Sequence, residues 1–179
     1  MRSKRAAVFA ALALMGAAAS LRSAPPSAGT SLPEGWRRES APGSITGFGS
    51  YSVALPPTMQ TVSVTGTASH VAEYRSAALT LLFDFGDHAP SRRPTCHGKS
   101  RCTMESVDVH GGRASRLHYY QPDPDGDLPY RASYEIPFGS QPARRPRRIT
   151  LTVSAECASA SACDLADRIV RTIEIRSAR

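Results

Sequence analysis

The sequence has no apolar run long enough to cross a bilayer as a helix, which requires about 20 residues. Its longest apolar run, Ala6–Ala19, has 14 residues, so we do not expect an integral membrane protein. Lysine is almost absent, since only Lys4 and Lys99 among the 22 basic residues are lysine. This arginine bias is typical of GC-rich coding and does not by itself indicate a nucleic-acid interface, so no nucleic-acid partner is expected.

The common catalytic signatures are also missing. The sequence contains neither the G-x-S-x-G of serine hydrolases nor the H-E-x-x-H of zinc peptidases, and it has no C-x-x-C redox pair. Gly47-Phe48-Gly49 lacks the third glycine of a phosphate-binding loop. We therefore expect no cofactor, no bound metal and no catalytic residues.

The N-terminus has the pattern of a secretory signal. Arg2, Lys4 and Arg5 precede the apolar run, which ends in three alanines of the size that signal peptidase accepts. We predict that residues 1–19 are removed, and this removal lowers the formal net charge from +7 to +4. The mature protein is then exported to the periplasm or the medium and is expected to be soluble there.

The rest of the sequence predicts a flexible leader followed by one domain. Residues 20–34 are rich in serine, proline, alanine and glycine, which predicts a flexible leader. A single domain is expected over residues 35–179, because a chain of 179 residues suffices for one ordinary domain. Hydrophobic residues make up 41% of the chain, which is enough to build a core.

Four cysteines remain after cleavage, in two pairs with five residues between the members of each. An even number of cysteines in an exported chain predicts disulfide bonds, and three connectivities are possible. We favour the local pairs Cys96–Cys102 and Cys157–Cys163, because each short gap lies in a predicted loop. Cross-pairing is one alternative. A metal site that includes His97 is the other, although zinc sites with four sulfurs usually have gaps of about two to four residues.

Alternation of apolar and polar residues predicts strands along most of the domain. These strands are expected over residues 50–55, 61–65, 79–85, 103–109, 113–120, 130–138 and 148–156. One helix is predicted at the C-terminus, where Leu165, Ile169 and Ile173 form an apolar stripe. Ser161 is its predicted N-cap, and residues 68–78 are assigned to a loop that enters a strand. The sum is an α+β fold, a mostly antiparallel β-sheet with a packed C-terminal helix.

Several segments resemble those of known exported proteins. Tyr51–Pro57 (YSVALPP) resembles the opening strand of PsbP-like proteins. Thr65–Tyr74 and Leu81–Gly86 resemble a stretch of small exported bacterial proteins of unknown function, and Val107–Ala114 and Ala166–Ile173 fit the same group. This resemblance implies a PsbP-like α/β/α sandwich on an antiparallel sheet, and it implies no catalytic residues.

A weak candidate surface site lies at the end of the most apolar predicted strand. Asp84, Asp87 and His88 could form a metal site or an acid–base pair there. A loop cap or a surface ion pair is the commoner outcome for such residues at a strand end.

A histidine in another strand is a further candidate. His118 could line a groove together with Tyr119 or Tyr120. A half-exposed histidine in a strand nevertheless needs no special role.

The densest charge cluster consists of Arg144, Arg145, Arg147 and Arg148. Four arginines in five residues are a candidate anion-binding site for the phosphates of a lipid, of lipopolysaccharide or of nucleic acid. Export argues against genomic DNA, and no interleaved aromatic residues indicate stacking on a single strand. A solvated loop before a strand explains the cluster as well, so we expect these side chains to be exposed and dispensable for folding.

The lack of a convergent catalytic set leads to a functional hypothesis. We expect an exported cell-envelope protein that is not an enzyme and that binds a protein or another envelope component. One alternative is a periplasmic immunity protein that neutralises a delivered toxin. The other alternative is a hydrolase or metal-dependent enzyme that uses Asp84, Asp87 or His88.

The signal hypothesis predicts that the mature exported protein begins at or near Ser20, because the apolar run is short and small residues precede this position. Intact-mass measurement and N-terminal sequencing of the exported protein check this prediction. A membrane-bound protein that retains residues 1–19 would contradict it.

Overall fold

The computed structural model describes residues 32–41, 49–64, 69–86, 95–109, 112–122, 128–140 and 148–177, all of which lie in the compact unit Leu32–Arg179. These residues form strands β1 Arg37–Ser40, β2 Gly49–Leu55, β3 Gln60–Val62, β4 His70–Arg75, β5 Leu79–Gly86, β6 Ser100–Val109, β7 Gly112–Tyr120, β8 Tyr130–Ser140 and β9 Arg148–Cys157, helix α1 Ala160–Arg171, and strand β10 Glu174–Ser177. Within these ranges no helix is long and apolar enough to cross a membrane.

Seven of the strands form one antiparallel sheet in the order β3-β4-β5-β9-β8-β7-β6. Every strand predicted from the sequence is present, with ends that differ by a few residues. Strands β6 and β7 form a hairpin, because Val109 pairs with Gly112 and only two residues connect them. The α+β class and the dominance of antiparallel strands are therefore as predicted.

A second, three-stranded sheet and α1 cover the same face of the large sheet. The second sheet has the order β1-β2-β10. Tyr51 of β2 packs against Phe83 and Phe85 of β5, with ring centroids 5.7 Å apart in both contacts. α1 contacts β2 and also β5, β6, β8 and β9. The core lies between these two layers.

The alternation of the strands explains why this face is the core. Successive side chains of a strand point to opposite faces, and the core-facing set is buried in each central strand. These residues are Leu79, Leu81, Phe83 and Phe85 of β5, Ala132, Tyr134 and Ile136 of β8, and Leu151, Val153, Ala155 and Cys157 of β9. Each large apolar side chain that is fully buried contributes about 1.5–3 kcal/mol to folding.

The helix begins earlier than the sequence predicts. The N-cap is Ser159 and not Ser161, because Ser159 has an extended backbone and its Oγ accepts a hydrogen bond from the Ala162 N–H at 3.2 Å. Ser161 lies inside the first turn. The physical reason is that the Cys163 N–H already donates to the Ser159 carbonyl oxygen at 3.2 Å, so the first helical turn closes at Ser159.

The assignment of residues 68–78 to a loop is wrong over His70–Arg75, which form β4. Ala72 and Tyr74 face the core from this strand, but its helix-favouring alanine and glutamate hide the alternation.

Strands β1 and β10 were also not predicted. They are four residues long and rich in charge, and Arg38 of β1 pairs with Glu174 of β10 at 3.0 Å.

Both disulfides are local, as predicted. Cys96 bonds to Cys102 and Cys157 bonds to Cys163, each with Cα atoms 5.5 Å apart. Cys102 lies in β6 and Cys157 in β9, and these strands are separated by β7 and β8. At a strand spacing of about 4.8 Å, the separation is about 14 Å, which is too far for a disulfide bridge. A bridge between Cys102 and Cys157 is therefore sterically excluded.

Replacing both Cys157 and Cys163 by alanine is expected to lower the free energy of unfolding by about 2 kcal/mol or more, from the lost loop constraint alone. Both sulfurs are buried, so a cavity adds to the loss. The matched control replaces Cys96 and Cys102, which are less buried and close a loop of equal length. Urea unfolding checks the difference, and equal losses for the two double variants would contradict it.

Candidate functional site

Of the predicted set Asp84, Asp87 and His88, the structure describes Asp84. Asp84 is half-buried in β5 and lies on the sheet face opposite to α1, because its two neighbours in the strand face the core. Asp87 and His88 lie outside the described residues. Whether these three side chains form a site therefore stays a prediction.

The structure likewise describes only one residue of the predicted arginine cluster. Arg144, Arg145 and Arg147 lie outside the described residues. The backbone of Arg148 forms the first residue of β9 and pairs with Ser140. The expectation of an exposed, dispensable cluster stays a prediction.

A groove opens at the end of the large sheet where both disulfides lie. Its floor is formed by Tyr120 of β7 and Tyr130 of β8, which are register partners and meet edge to face with centroids 5.3 Å apart. The groove has a volume of about 220 Å³. The start of β6 forms one wall and the first turns of α1 form the other.

The β6 wall places cations over aromatic rings. Lys99 Nζ lies 3.9 Å from the centroid of the Tyr119 ring, and Arg101 Cζ lies 5.3 Å from that of Tyr120. Arg101 lines the groove. Both cations lie inside the loop that the Cys96–Cys102 disulfide closes, so the bond restricts the conformations of this loop and therefore the positions of both side chains. Each such contact is worth about 0.5–1 kcal/mol at an exposed site.

The backbone of β6 is irregular at the groove. Arg101 has a φ of 48°, a conformation that residues other than glycine rarely adopt. The pairing of β6 with β7 shifts register between Ser100 and Thr103. Bulges of this kind re-aim a side chain, and strained backbone tends to occur at functional sites. The irregularity therefore marks this wall as a candidate binding surface.

The opposite wall belongs to α1. Ala160, Cys163 and Asp164 line the groove from this side, and the Cys157–Cys163 disulfide fixes the first turn of the helix to the end of β9. Asp164 is exposed and forms no ion pair within the described ranges. The two walls thus carry opposite charges, with Arg101 on one and Asp164 on the other.

Beside the groove, Asp167 of α1 contacts three side chains of the sheet. Arg116 of β7 and the hydroxyl of Tyr134 in β8 donate hydrogen bonds to its carboxylate, and His118 Nε2 lies 3.5 Å from it. Arg116 also pairs with Glu105 of β6. The side chains of Arg116 and Asp167 are only 14% and 13% exposed. This network therefore ties the helix to three strands from a largely buried position.

The network shifts the pKa values of Asp167 and Tyr134. Burial raises the pKa of Asp167, but the nearby His118, the hydrogen bond from Tyr134 and the charge of Arg116 lower it by more, so that it lies below its ordinary value. Burial and the hydrogen bond to Asp167 raise the pKa of Tyr134 well above its ordinary value. At neutral pH Asp167 is a carboxylate and Tyr134 is a neutral donor.

The groove offers several kinds of contact to a ligand. Its charged walls and aromatic floor provide hydrogen bonds, ion pairs and apolar contact. Cys163 is held in a disulfide, and His118 has Asp167 as its near neighbour. In the part of the chain that the structure describes, no group of three or more histidines, cysteines or acidic residues is placed to hold a metal ion.

A larger hollow of about 410 Å³ lies at the other edge of the sheet, beside β3 and β4. It is lined mainly by small polar side chains, among them Thr58, Thr61 and Ser76, and no aromatic ring faces it. Its charged residue, Arg75, is already paired with Glu73. Size alone therefore does not make it the better candidate.

Sequence reasoning found part of the groove. It predicted that His118 lines a groove with Tyr119 or Tyr120, and all three residues line it. Arg101 and Asp164 were not predicted as site residues. The positions of the two cysteine loops could have indicated these residues. Each loop adjoins the end of a predicted strand, and Arg101 lies within the first loop while Asp164 directly follows the second.

No protein-family model, curated protein or solved structure matches the chain. The function is therefore argued from the groove and its neighbouring residues. The comparisons neither support nor oppose the PsbP-like resemblance of the sequence segments.

Asp167→Asn is expected to lower the free energy of unfolding by about 3 kcal/mol at neutral pH, because the change removes one partner of a largely buried ion pair. The pKa of Asp167 is lower in the folded than in the unfolded state. Its stabilising effect is therefore present above the unfolded pKa of about 4 and is lost as the pH falls through the folded pKa.

Urea unfolding of both proteins between neutral pH and about pH 3 checks this prediction, since the difference between them should shrink on acidification. Asp108→Asn is the control, because Asp108 pairs with Arg113 at the surface and should cost little. A difference that stays constant with pH would contradict the assignment of the carboxylate.

Proposed function

We propose that this protein is a non-catalytic binding module of the cell envelope, and that it holds its partner in the groove between α1 and strands β6, β7 and β8. The observation that carries the proposal is that Tyr120 and Tyr130 form the floor of this groove while Arg101 lies on its wall, over the Tyr120 ring. Tyrosine and arginine are enriched at binding hot spots, because each combines a large contact area with hydrogen bonding.

The groove is also preorganised, which supports a binding role. One disulfide closes the loop that carries Arg101, and the other fixes the first turn of α1. The Asp167 network holds the next turn of the helix on the sheet. Walls that are already fixed lose little conformational entropy when a partner binds.

The location outside the cytoplasm is part of the proposal. Two disulfides are compatible with an oxidising, extracytoplasmic compartment, and the N-terminal signal pattern agrees with export. The PsbP-like resemblance belongs to the same proposal. It is supported by the sequence segments named above and, at the level of fold class, by the α+β architecture.

Site-specific photo-crosslinking in the native envelope tests the proposal. A photoreactive residue at Ala160, which is exposed on the groove wall, is expected to crosslink one envelope component. The matched control carries the same group at Ser106, an exposed residue of β6 outside the groove. Adding Tyr120→Ala to the Ala160 variant is expected to reduce the crosslink strongly, because it removes half of the floor.

The proposal fails if Ala160 gives no crosslink, or if Ser106 crosslinks the same component equally well. The identity of the component also separates the two binding hypotheses. A toxin encoded beside this gene would favour the immunity-protein alternative, whereas a structural envelope protein or polymer would favour the general binding module.

A further inference from the structure

Two opposite charges face the groove without an ion-pair partner in the described part of the chain. Among the other described arginines, Arg168, Arg171 and Arg176 also have no ion pair, whereas six of β1, β4, β7 and β8 are each paired with a carboxylate: Arg37, Arg38, Arg75, Arg113, Arg116 and Arg131. Arg101 rests on the Tyr120 ring instead. Asp164 faces the same groove from α1 and does not pair with it.

In the described part of the chain, no residue accepts a hydrogen bond from the exposed Arg101 guanidinium. A cation–π contact satisfies the charge in part but provides no acceptor, and a guanidinium has five N–H donors in a fork that fits a carboxylate. Asp164, also exposed, offers the complementary group, because an ionised carboxylate accepts hydrogen bonds and favours a cation. Between them lies the aromatic floor of Tyr120 and Tyr130.

The volume limits what can fit. Pockets for drug-sized ligands are about 300–1,000 Å³, and this groove has about 220 Å³. A group the size of one amino-acid residue fits this space. A longer ligand would place a single unit in the groove and extend along its open side.

We propose that the groove binds a zwitterionic, amino-acid-like group, with its carboxylate on Arg101, its ammonium on Asp164 and its carbon skeleton against Tyr120 and Tyr130. This inference rests on the proposed function, because it names the ligand class of the same groove. Opposed charges on the two walls select the orientation of the ligand, and they disfavour ligands that carry one charge only. The source is a free amino acid or the end of a peptide chain, which share this chemistry.

The test uses the oxidised exported protein and four small probes. Free alanine and alanyl-alanine carry both charges, N-acetyl-alanyl-alanine carries only the carboxylate, and alanyl-alanine amide carries only the ammonium. Binding is followed by calorimetry or NMR titration. One of the two zwitterions is expected to bind about tenfold more tightly than either capped dipeptide, and which of the two binds better identifies the source.

Two substitutions separate the walls. Arg101→Gln is expected to weaken binding of the better zwitterion and to leave that of the amide unchanged. Asp164→Asn is expected to weaken binding of the better zwitterion and to leave binding of the acetylated dipeptide unchanged. Asp164 also lies near the positive end of the helix and can stabilise it, but a purely structural role would change the binding of all probes alike. Arg113→Gln and Asp108→Asn, an exposed pair outside the groove, are the matched controls.

The inference is overturned if neither zwitterion binds, if the capped dipeptides bind as well as the zwitterions, or if the control substitutions have the same effect. Its failure is distinguishable from failure of the proposed function. A groove-specific crosslink at Ala160 together with no zwitterion binding would keep the binding module and reject this ligand class, and absence of both would reject both.

Discussion

The Asp167 carboxylate fixes α1 on the large sheet, and the groove exists only where the helix is fixed. Its bonds to Arg116 and Tyr134 anchor the helix to β7 and β8, while Glu105 extends the network to β6. Such a buried ion pair contributes less to net stability than its contacts suggest, because both charges are desolvated. We infer that its main effect is positional, since an apolar stripe alone would permit the helix to slide along the sheet.

The disulfides extend this constraint to both walls. Cys157–Cys163 holds the start of α1 one turn before Asp167, and Cys96–Cys102 closes the loop that carries Arg101. The two bonds lie at the same end of the sheet and are separated by β7 and β8. They therefore enclose the tyrosine pair without touching each other, which gives a groove with a fixed width.

Much of the fold was predictable, because period-two alternation is strong wherever one strand face is fully buried. Leu79 to Phe85 shows this pattern in its clearest form. β4 was missed, since its residues favour a helix and only two of them reach the core. The N-cap was misplaced because Ser159 and Ser161 are both suitable cap residues, and only the backbone hydrogen bonds of the folded chain distinguish them. The site was harder to predict. Arg101 and Asp164 are 63 positions apart in the sequence, and only the order of the strands shows that they face one groove.

The most direct test of this account is an NMR map of the isotope-labelled, oxidised protein with and without a fraction of its native envelope. The account predicts backbone shift changes confined to residues 99–103, 118–120, 130–131 and 160–164, which surround the groove. Changes centred on the polar hollow around residues 58–62 and 75–77, or spread over the face of the sheet opposite to α1, would contradict it.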